Sequence, residues 1–266
     1  MARKLLLISN STLYGSGYLD HCESQIKEFL NESNVSRVTF IPYARPSGKT
    51  HEEYTEIAKE RFNRMGLELE GIGETDTYAS IHKSEAIFIG GGNTFVLLGR
   101  MYYRIIMEEI KSRVRKGLPY IGTSAGSNVA GKTIMTTNDM PIVHPPYFEA
   151  LGLVPFIINP HYQDKMEIPN EARRRFSELL EKDPGLAPLS ILNHYIDHQG
   201  ETRETRIKEY HVFNDDIVVG LREGAMLHIV DESVTLKGSS GARIFRKGQE
   251  PTEHQPGESL EFLLKG

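Results

Sequence analysis

The 266-residue sequence is short of the residues that mark secreted and membrane proteins. It has a single cysteine, Cys22, and no tryptophan. One cysteine cannot form an internal disulfide, so we expect a protein of a reducing compartment and predict a cytoplasmic location. No hydrophobic run is long enough to span a membrane, and the apolar run at residues 5–8 is too short to predict a signal peptide.

An excess of positive charge is also missing. The chain carries 31 Lys and Arg against 36 Asp and Glu, a formal net charge of -5. Proteins that hold nucleic acid or an anionic membrane usually present a basic surface, so we predict neither partner. Hydrophobic residues make up 39% of the chain, enough to bury a large core. Nothing in the composition favours a monomer over a homodimer.

Apolar segments of strand length alternate with segments of helical periodicity through the first half of the chain. This alternation is typical of an α/β fold with a doubly wound, mostly parallel sheet and helices on both faces. Ligands of such folds bind at the carboxyl ends of the strands. The predicted strands lie at residues 5–8, 38–41, 67–72, 86–89 and 120–121, and the predicted helices at 19–30, 50–65, 80–84 and 94–116.

The second half of the chain is less regular. A strand is expected at residues 156–159, a helix at 171–182, and a further helix that opens with residues 200–203 and runs to about residue 211. Short apolar segments separated by turn residues then predict antiparallel hairpins, at 217–221, 226–230, 233–236 and 242–245. We expect one domain over residues 1–248. Residues 249–266, rich in Glu, Gln, Pro and Gly, are expected to form a partly disordered tail.

A G-x-S-x-G pattern stands at residues 122–126, between a predicted strand and a predicted helix. In this arrangement, called a nucleophile elbow, a sharp turn exposes the serine hydroxyl at the end of the strand. The following helix offers free N–H groups and the positive end of its dipole to a developing oxyanion. The pattern alone also occurs by chance, so Ser124 needs partners before it indicates catalysis.

A serine nucleophile needs a base, and the base needs an acid that fixes its tautomer. His161 is the favoured base because it follows a buried strand and a proline, and His228 is the alternative. The acid stays open among Asp139, Glu223 and Asp231, although Glu223 follows a predicted strand and precedes a glycine.

Three adjacent glycines, residues 90–92, connect a predicted strand to a predicted helix and precede Asn93. Such a segment brings backbone N–H groups close to a ligand, or it simply forms a tight turn. Neither phosphate-binding pattern, G-x-G-x-x-G or the Walker lysine pattern, is present. Both interpretations of the glycines are therefore kept.

Six short segments in this order resemble peptidase E, the α-aspartyl dipeptidase family of serine peptidases. The resemblance covers most of residues 4–230. It implies a fold related to class I glutamine amidotransferases and hydrolysis of dipeptides with an N-terminal aspartate, Asp-Xaa, without a metal or another cofactor. The segments are Ile8-Ser9-Asn10-Ser11-Thr12, Gly90-Gly91-Gly92-Asn93-Thr94, Ser124-Ala125-Gly126-Ser127-Asn128, Thr136-Thr137-Asn138-Asp139-Met140-Pro141, Asn159-Pro160-His161 and Gly200-Glu201-Thr202-Arg203-Glu204.

The resemblance also implies a role for individual residues. Ser124 becomes the nucleophile, His161 the base and Glu223 the acid, an order that differs from that of α/β-hydrolases. The remaining expected site residues act on the oxyanion or on the substrate. The oxyanion would be bound by the N–H groups of Gly92 and Ala125, and the substrate by Arg203, Asn93 and Asp139. Asp139 could instead brace the site or cap a turn.

The 42 positions from His161 to Arg203 are more than short members of the family need. We expect an insertion at about residues 165–198 that forms a lid or an oligomer contact. It contains His194, Asp197 and His198, a spacing loosely similar to a zinc motif, but a polar helix or loop is preferred over a metal site.

Three other functions are kept as alternatives. The first is a related serine peptidase acting on isoaspartyl or cyanophycin-type substrates. The second is a non-catalytic α/β module that binds an acidic small molecule in the same crevice. The third is an α/β-hydrolase esterase that uses His228 as its base.

Overall fold

Two β-sheets form the framework of the protein in a computed structural model, which describes residues 3–73, 75–165, 170–183 and 201–265. Their strands are β1 Lys4–Ile8, β2 Arg37–Ile41, β3 Glu68–Gly71, β4 Ile87–Ile89, β5 Tyr120–Thr123, β6 Ile157–Tyr162, β7 Val218–Arg222, β8 Ala225–Val230, β9 Ser233–Gly238, β10 Ala242–Phe245 and β11 Thr252–His254. The larger sheet has the order β3-β2-β4-β5-β1-β8-β9, and the smaller has the order β11-β10-β7-β6.

The larger sheet is mostly parallel, as predicted. Strands β3, β2, β4, β5 and β1 all pair in parallel, and β8 and β9 extend the sheet antiparallel beyond β1. The apolar residues of β1, β4 and β5 are buried on both faces of the sheet. This explains why these strands appear in the sequence as continuous apolar runs rather than as alternating ones.

Helices cover both faces of this sheet. The described helices are α1 Glu23–Glu32, α2 His51–Arg64, α3 Thr77–Lys83, α4 Thr94–Tyr103, α5 Met107–Arg115, α6 Ala125–Asn128, α7 Asn170–Lys182 and α8 Arg203–Phe213. Leu6 and Ile8 of β1 point into a core with α1 and α2, whereas Leu5 and Leu7 point into a core with α4 and α5. The helices on both faces confirm the predicted α/β architecture.

Helix α2 begins where its sequence predicts. Thr50 and Glu53 form a capping box: the Glu53 N–H donates to Thr50 Oγ1 at 3.1 Å, and the Thr50 N–H donates to Glu53 Oε2 at 2.8 Å. These two bonds satisfy N–H groups that the first turn of a helix otherwise leaves without partners.

The single long helix predicted for residues 94–116 is wrong. The chain there forms α4 and α5, separated by a turn in which Ile105 has a φ of 58°. No proline or glycine marks this break in the sequence. The burial of Met101, Ile106 and Met107 on the sheet shows that packing, rather than local preference, determines it.

The smaller sheet shows that only part of the hairpin prediction is correct. Strands β8 and β9 form an antiparallel hairpin, but β7 does not pair with β8. Strand β7 pairs in parallel with β6 and antiparallel with β10. The two residues between β7 and β8, Glu223 and Gly224, therefore carry the chain from one sheet to the other. This crossing places Glu223 at the junction of the two sheets.

The predicted disorder after residue 248 is wrong. Residues 252–254 form β11, and Leu260 and Leu263 are fully buried. The Leu260 N–H donates to the Val234 carbonyl at 2.7 Å, and the Leu236 N–H donates to the Glu258 carbonyl at 3.0 Å. The C-terminal segment thus covers β9, the edge strand of the larger sheet, which would otherwise expose unpaired backbone groups.

The expected insertion at 165–198 falls largely outside the described residues, as do His194, Asp197 and His198. The described part contains α7, whose Arg174 and Arg175 pair with Glu178 and Glu171 at i,i+4 spacing.

No helix in the described part of the chain is long and apolar enough to cross a membrane. Cys22 is a free, buried thiol, and burial raises its pKa to about 12.

The C-terminal segment contributes to stability by burying Leu263 in the main core. We expect Leu263→Ala to lower the free energy of unfolding by about 2–5 kcal/mol, because it removes a fully buried side chain and leaves a cavity. Chemical denaturation of the variant and of the wild type measures this difference. Glu261→Ala, an exposed substitution in the same turn, is the control. An equal midpoint for all three proteins would show that the segment does not pack in solution.

Candidate active site

Ser124 lies at a sharp turn between β5 and α6. Its backbone has φ 53° and ψ -113°, a conformation that residues with a side chain rarely adopt. Backbone bonds hold the turn: the Ser124 N–H donates to the Ile8 carbonyl at 3.0 Å, and the N–H groups of Ser127 and Asn128 both donate to the Ser124 carbonyl at 2.9 Å. This geometry is that of the predicted nucleophile elbow.

Two glycines let the elbow pack tightly. A Cβ atom on Gly126 would lie 2.1 Å from the Ile89 carbonyl oxygen, a distance that no real structure tolerates. A Cβ on Gly91 would lie 3.0 Å from the Ser124 Cβ. The glycines therefore permit β4 and the glycine segment to lie directly against the nucleophile elbow.

His161 reaches Ser124 from the smaller sheet. It is the extra residue of a β-bulge in β6, where the pairing with β7 shifts between Pro160 and Tyr162. Its φ of 53° and the bulge redirect its side chain out of the strand. The strand was predicted to end at this proline and histidine, but it continues to Tyr162. His161 Nε2 lies 2.9 Å from Ser124 Oγ, within hydrogen-bonding distance.

Glu223 completes a hydrogen-bonded chain of three side chains. Its Oε1 lies 2.6 Å from His161 Nδ1, on the opposite side of the imidazole from Ser124. A neutral imidazole that donates from Nδ1 to the carboxylate leaves Nε2 free to accept the serine proton. The geometry therefore suits proton transfer from Ser124 to His161.

Two buried polar residues after β1 hold this chain in place. Ser9 Oγ accepts from the His161 N–H at 2.9 Å and donates to the Leu221 carbonyl at 2.8 Å. Asn10 Oδ1 accepts from the Gly224 N–H at 2.8 Å. Sequence reasoning gave these residues no role, although a Ser-Asn pair directly after a buried strand was the available signal.

The glycine segment lies beside Ser124. Gly92 has a φ of 148°, and a Cβ there would lie 2.3 Å from the Ala44 carbonyl oxygen. Ala125, the first residue of α6, follows the nucleophile. Asn93 caps α4 by accepting from the Val96 N–H at 3.0 Å, and its Nδ2 donates to the Met140 carbonyl at 2.9 Å. Both ends of the Asn93 amide are thus bonded within the protein, and its contact with substrate stays a prediction.

Asp139 anchors the loop that contains it to the start of α4. Its Oδ2 accepts from the Thr94 N–H at 2.7 Å and from Thr94 Oγ1 at 2.6 Å. This is the bracing role considered for Asp139. Its other oxygen, Oδ1, makes no hydrogen bond within the described part of the chain and stays available to a ligand.

Arg203, the first residue of α8, lines the same cavity as these groups. Its Nη1 is buried and has no hydrogen-bond partner among the described residues. Burial lowers the pKa of the guanidinium from its usual value, and the negative charge of Glu223 opposes that shift. The cavity has a volume of about 400 Å³ and is lined by Ser11, Arg45, Gly91, Gly92, Thr94, Ser124, Thr137, Asn138, Asp139, Pro160, His161, Gln163, Arg203 and Glu223.

The alternative base and acid lie elsewhere. His228 is opposite Leu6 in the pairing of β8 with β1, and its ring packs edge-on against Phe29 at 5.7 Å. Asp231 follows β8, and its N–H donates to the Arg3 carbonyl at the opposite end of β1 from Ser9. Neither residue lines the cavity. Among the described residues, no three His, Cys, Asp or Glu side chains come together as a candidate metal site.

Comparison with known proteins places this geometry in a family. The model of Peptidase family S51 matches residues 5–187 and 184–237. A Drosophila melanogaster protein named "Probable alpha-aspartyl dipeptidase" is 39% identical over 266 residues, covering 99% of this chain and 98% of that protein. Proteins named "Peptidase E" are 40% identical in Nostoc sp., covering 100% of this chain and 98% of that protein, and 41% identical in Streptomyces coelicolor, covering 98% and 94%.

A solved structure shares the fold. The crystal structure of a peptidase from an acI-B1 Actinobacterium has a TM-score of 0.68 at 16% sequence identity, covering 98% of this chain and 97% of that one. The family model matches most of the chain, and relatives about 40% identical align with nearly all of it. This chain therefore belongs to peptidase family S51.

Proposed function

We propose that this protein is a serine dipeptidase that hydrolyses dipeptides with an N-terminal aspartate through an acyl-enzyme on Ser124. The observation that carries the proposal is the hydrogen-bonded chain from Ser124 through His161 to Glu223, at a cavity that also contains the cation Arg203. The names "Peptidase E" and "alpha-aspartyl dipeptidase" of the relatives support the same substrate class.

Ser124, His161 and Glu223 have different roles in the proton transfer. His161 Nε2 removes the proton from Ser124 Oγ as the oxygen attacks the peptide carbonyl, and later gives it to the leaving amine. The imidazole becomes positively charged in this step. The carboxylate of Glu223, 2.6 Å from Nδ1, stabilises that charge and holds the ring in its working orientation. Water then hydrolyses the acyl-enzyme with His161 as base.

The oxyanion of the tetrahedral intermediate is stabilised by backbone donors. We assign them to the N–H groups of Gly92 and Ala125, which flank Ser124 from the glycine segment and from α6. Donors fixed before charge develops need no reorganisation, and one of them is typically worth about 3 kcal/mol in the transition state. Gly92 adopts a φ of 148° and passes so close to the Ala44 carbonyl that a Cβ atom would clash with it, so the segment depends on glycine at this position.

The charged groups of the substrate match charges in the cavity. The side-chain carboxylate of the substrate aspartate pairs with Arg203, whose buried Nη1 then gains an acceptor. The free amino group binds Asp139 Oδ1, the oxygen that Thr94 leaves open. Loss of either pairing would leave a charged group without a partner, which is costly in a partly buried site.

This chemistry uses only these groups and water. The cytoplasmic location remains a prediction from the presence of a single cysteine in the sequence.

Removing the nucleophile or the base tests the assigned roles. We expect Ser124→Ala and His161→Ala each to lower kcat for Asp-Leu by roughly 10⁴-fold or more, because hydrogen-bonded catalytic side chains of this kind act as a unit. His228→Ala, which changes a histidine outside the cavity, should keep near wild-type turnover. Steady-state kinetics of the three purified, folded variants measures these effects. If His228→Ala lost turnover while His161→Ala kept it, the result would support an esterase-like site that uses His228 as its base.

A substrate panel tests recognition of the aspartate. We expect hydrolysis of Asp-Leu and little hydrolysis of Glu-Leu, Asn-Leu, isoAsp-Leu or Asp-Leu with a blocked amino group. Arg203→Met should lower kcat/KM for Asp-Leu by about 100-fold, since a charge-assisted pair with a carboxylate is lost. Arg206→Met, on the exposed side of the same helix, is the matched control and should behave as wild type.

The panel also separates the competing substrate classes. Preference for isoAsp-Leu would keep the serine chemistry but move the substrate to isoaspartyl or cyanophycin-type peptides. No hydrolysis of any peptide by folded protein would contradict the proposed function and favour a binding module.

A further inference from the structure

The cavity contains a second arginine, Arg45, that the proposed mechanism does not use. It belongs to the segment that follows β2, and it lines the cavity together with Ser124 and Arg203. It has no ion-pair partner within the described part of the chain, and its buried Nε has no hydrogen-bond acceptor there. Arg61, another partly buried arginine, is by contrast paired with Asp20 and Glu23. Arg45 is therefore a cation without an ion-pair partner among the described residues, as is Arg203 in the same cavity.

The backbone of Arg45 is fixed against the site. Arg100 Nη1 donates to the carbonyl oxygens of Tyr43 and Arg45, at 2.8 Å and 2.9 Å. The carbonyl between them, that of Ala44, accepts from the Asn93 N–H at 2.7 Å. The residue before Arg45 is thus bonded to Asn93, the residue that follows the glycine segment and its proposed oxyanion donor, Gly92.

The side chain of Arg45 is supported by a rigid aromatic ring. Its guanidinium carbon lies 4.9 Å from the centroid of the Tyr54 ring. Tyr54 is only 2% exposed and packs edge-on against Phe40 at 5.0 Å, so the ring itself is held in place. Stacking on such a ring restrains a guanidinium while leaving its N–H groups free for an anion.

An Asp-Xaa dipeptide carries one positive and two negative charges. The proposed function pairs its amino group with Asp139 and its side-chain carboxylate with Arg203. The carboxylate of the leaving residue has no partner in that scheme, although it lies only a few bonds beyond the reacting carbonyl. A free carboxylate close to a partly buried site needs a cation. Once Arg203 is assigned to the side-chain carboxylate, Arg45 is the arginine of the described cavity lining that remains without an anion.

We propose that Arg45 binds the C-terminal carboxylate of the leaving residue and so makes the enzyme selective for dipeptides. This inference rests on the proposed function, because it assigns a further subsite of the same cavity. A longer peptide presents a neutral amide at this place and would leave Arg45 without an anion. Selectivity for chain length then comes from a charge rather than from a steric wall.

The test pairs a change in the enzyme with a change in the substrate. Asp-Leu-amide lacks the C-terminal carboxylate, and Asn-Leu lacks the side-chain carboxylate. We expect Arg45→Met to lower kcat/KM for Asp-Leu by about 10-fold to 100-fold, the loss of one charge-assisted contact. Its effect on Asp-Leu-amide should stay within about threefold, because that substrate has no C-terminal carboxylate for Arg45 to bind. Arg45→Lys keeps the positive charge but not the paired N–H donors of the guanidinium. It should therefore retain more of the activity on Asp-Leu than Arg45→Met.

Two further variants act as controls. Arg246→Met removes an arginine that also stacks on a ring, Phe262 at 4.8 Å, but does not line the cavity, and it should match the wild type on every substrate. Arg203→Met should lower kcat/KM for Asp-Leu and Asp-Leu-amide, which both carry the side-chain carboxylate. It should have little effect on Asn-Leu, which lacks that group. Equal losses for Asp-Leu and Asp-Leu-amide in Arg45→Met would overturn the inference, as would no loss at all.

A binding measurement separates failure of this inference from failure of the proposed function. Calorimetric titration of Ser124→Ala with Asp-Leu and Asp-Leu-amide reports affinity without turnover. Tighter binding of Asp-Leu that disappears in the Ser124→Ala, Arg45→Met double variant supports the carboxylate contact even if turnover is absent. Equal binding of the two peptides by Ser124→Ala rules the contact out, whether or not the wild type hydrolyses Asp-Leu.

Discussion

The hydrogen bond between Ser124 and His161 joins two different sheets, and the rest of the site depends on it. Ser124 stands at the end of β5 in the larger sheet, whereas His161 and Glu223 belong to β6 and to the chain that leaves β7 in the smaller sheet. A shift of about 1 Å between the sheets would break this contact, since hydrogen bonds weaken steeply with distance and angle. The proposed chemistry therefore requires that the sheets be fixed relative to one another.

That fixation comes from the end of β1, the strand next to β5. The Ser9 hydroxyl bonds to β6 at His161 and to β7 at Leu221, and the Asn10 amide bonds to Gly224. Both residues are fully buried, so each bond forms in surroundings where a missing partner is costly. The Ser9 and Asn10 side chains thus fix the backbone at His161, the proposed base, and on both sides of Glu223, the proposed acid.

Local signals in the sequence predicted the elements that depend on local chemistry. The helix that follows Thr50 and the elbow at Ser124 form as predicted because each is specified by residues a few positions apart. The break at Ile105 and the separation of β7 from β8 were missed, since both result from packing between distant segments. Arg45 was missed for the same reason: only the folded chain makes it line one cavity with Ser124, stacked on Tyr54 and without a carboxylate partner among the described residues.

The division of the site between the sheets affects how the protein is made. The proposed nucleophile, Ser124, lies in the first half of the chain, but the proposed base and acid follow 37 and 99 residues later. A nascent chain that has folded the parallel part of the larger sheet holds a serine with no base to activate it. On the proposed roles, hydrolysis requires that the smaller sheet has been synthesised and docked, so we expect a chain truncated before β6 to be inactive.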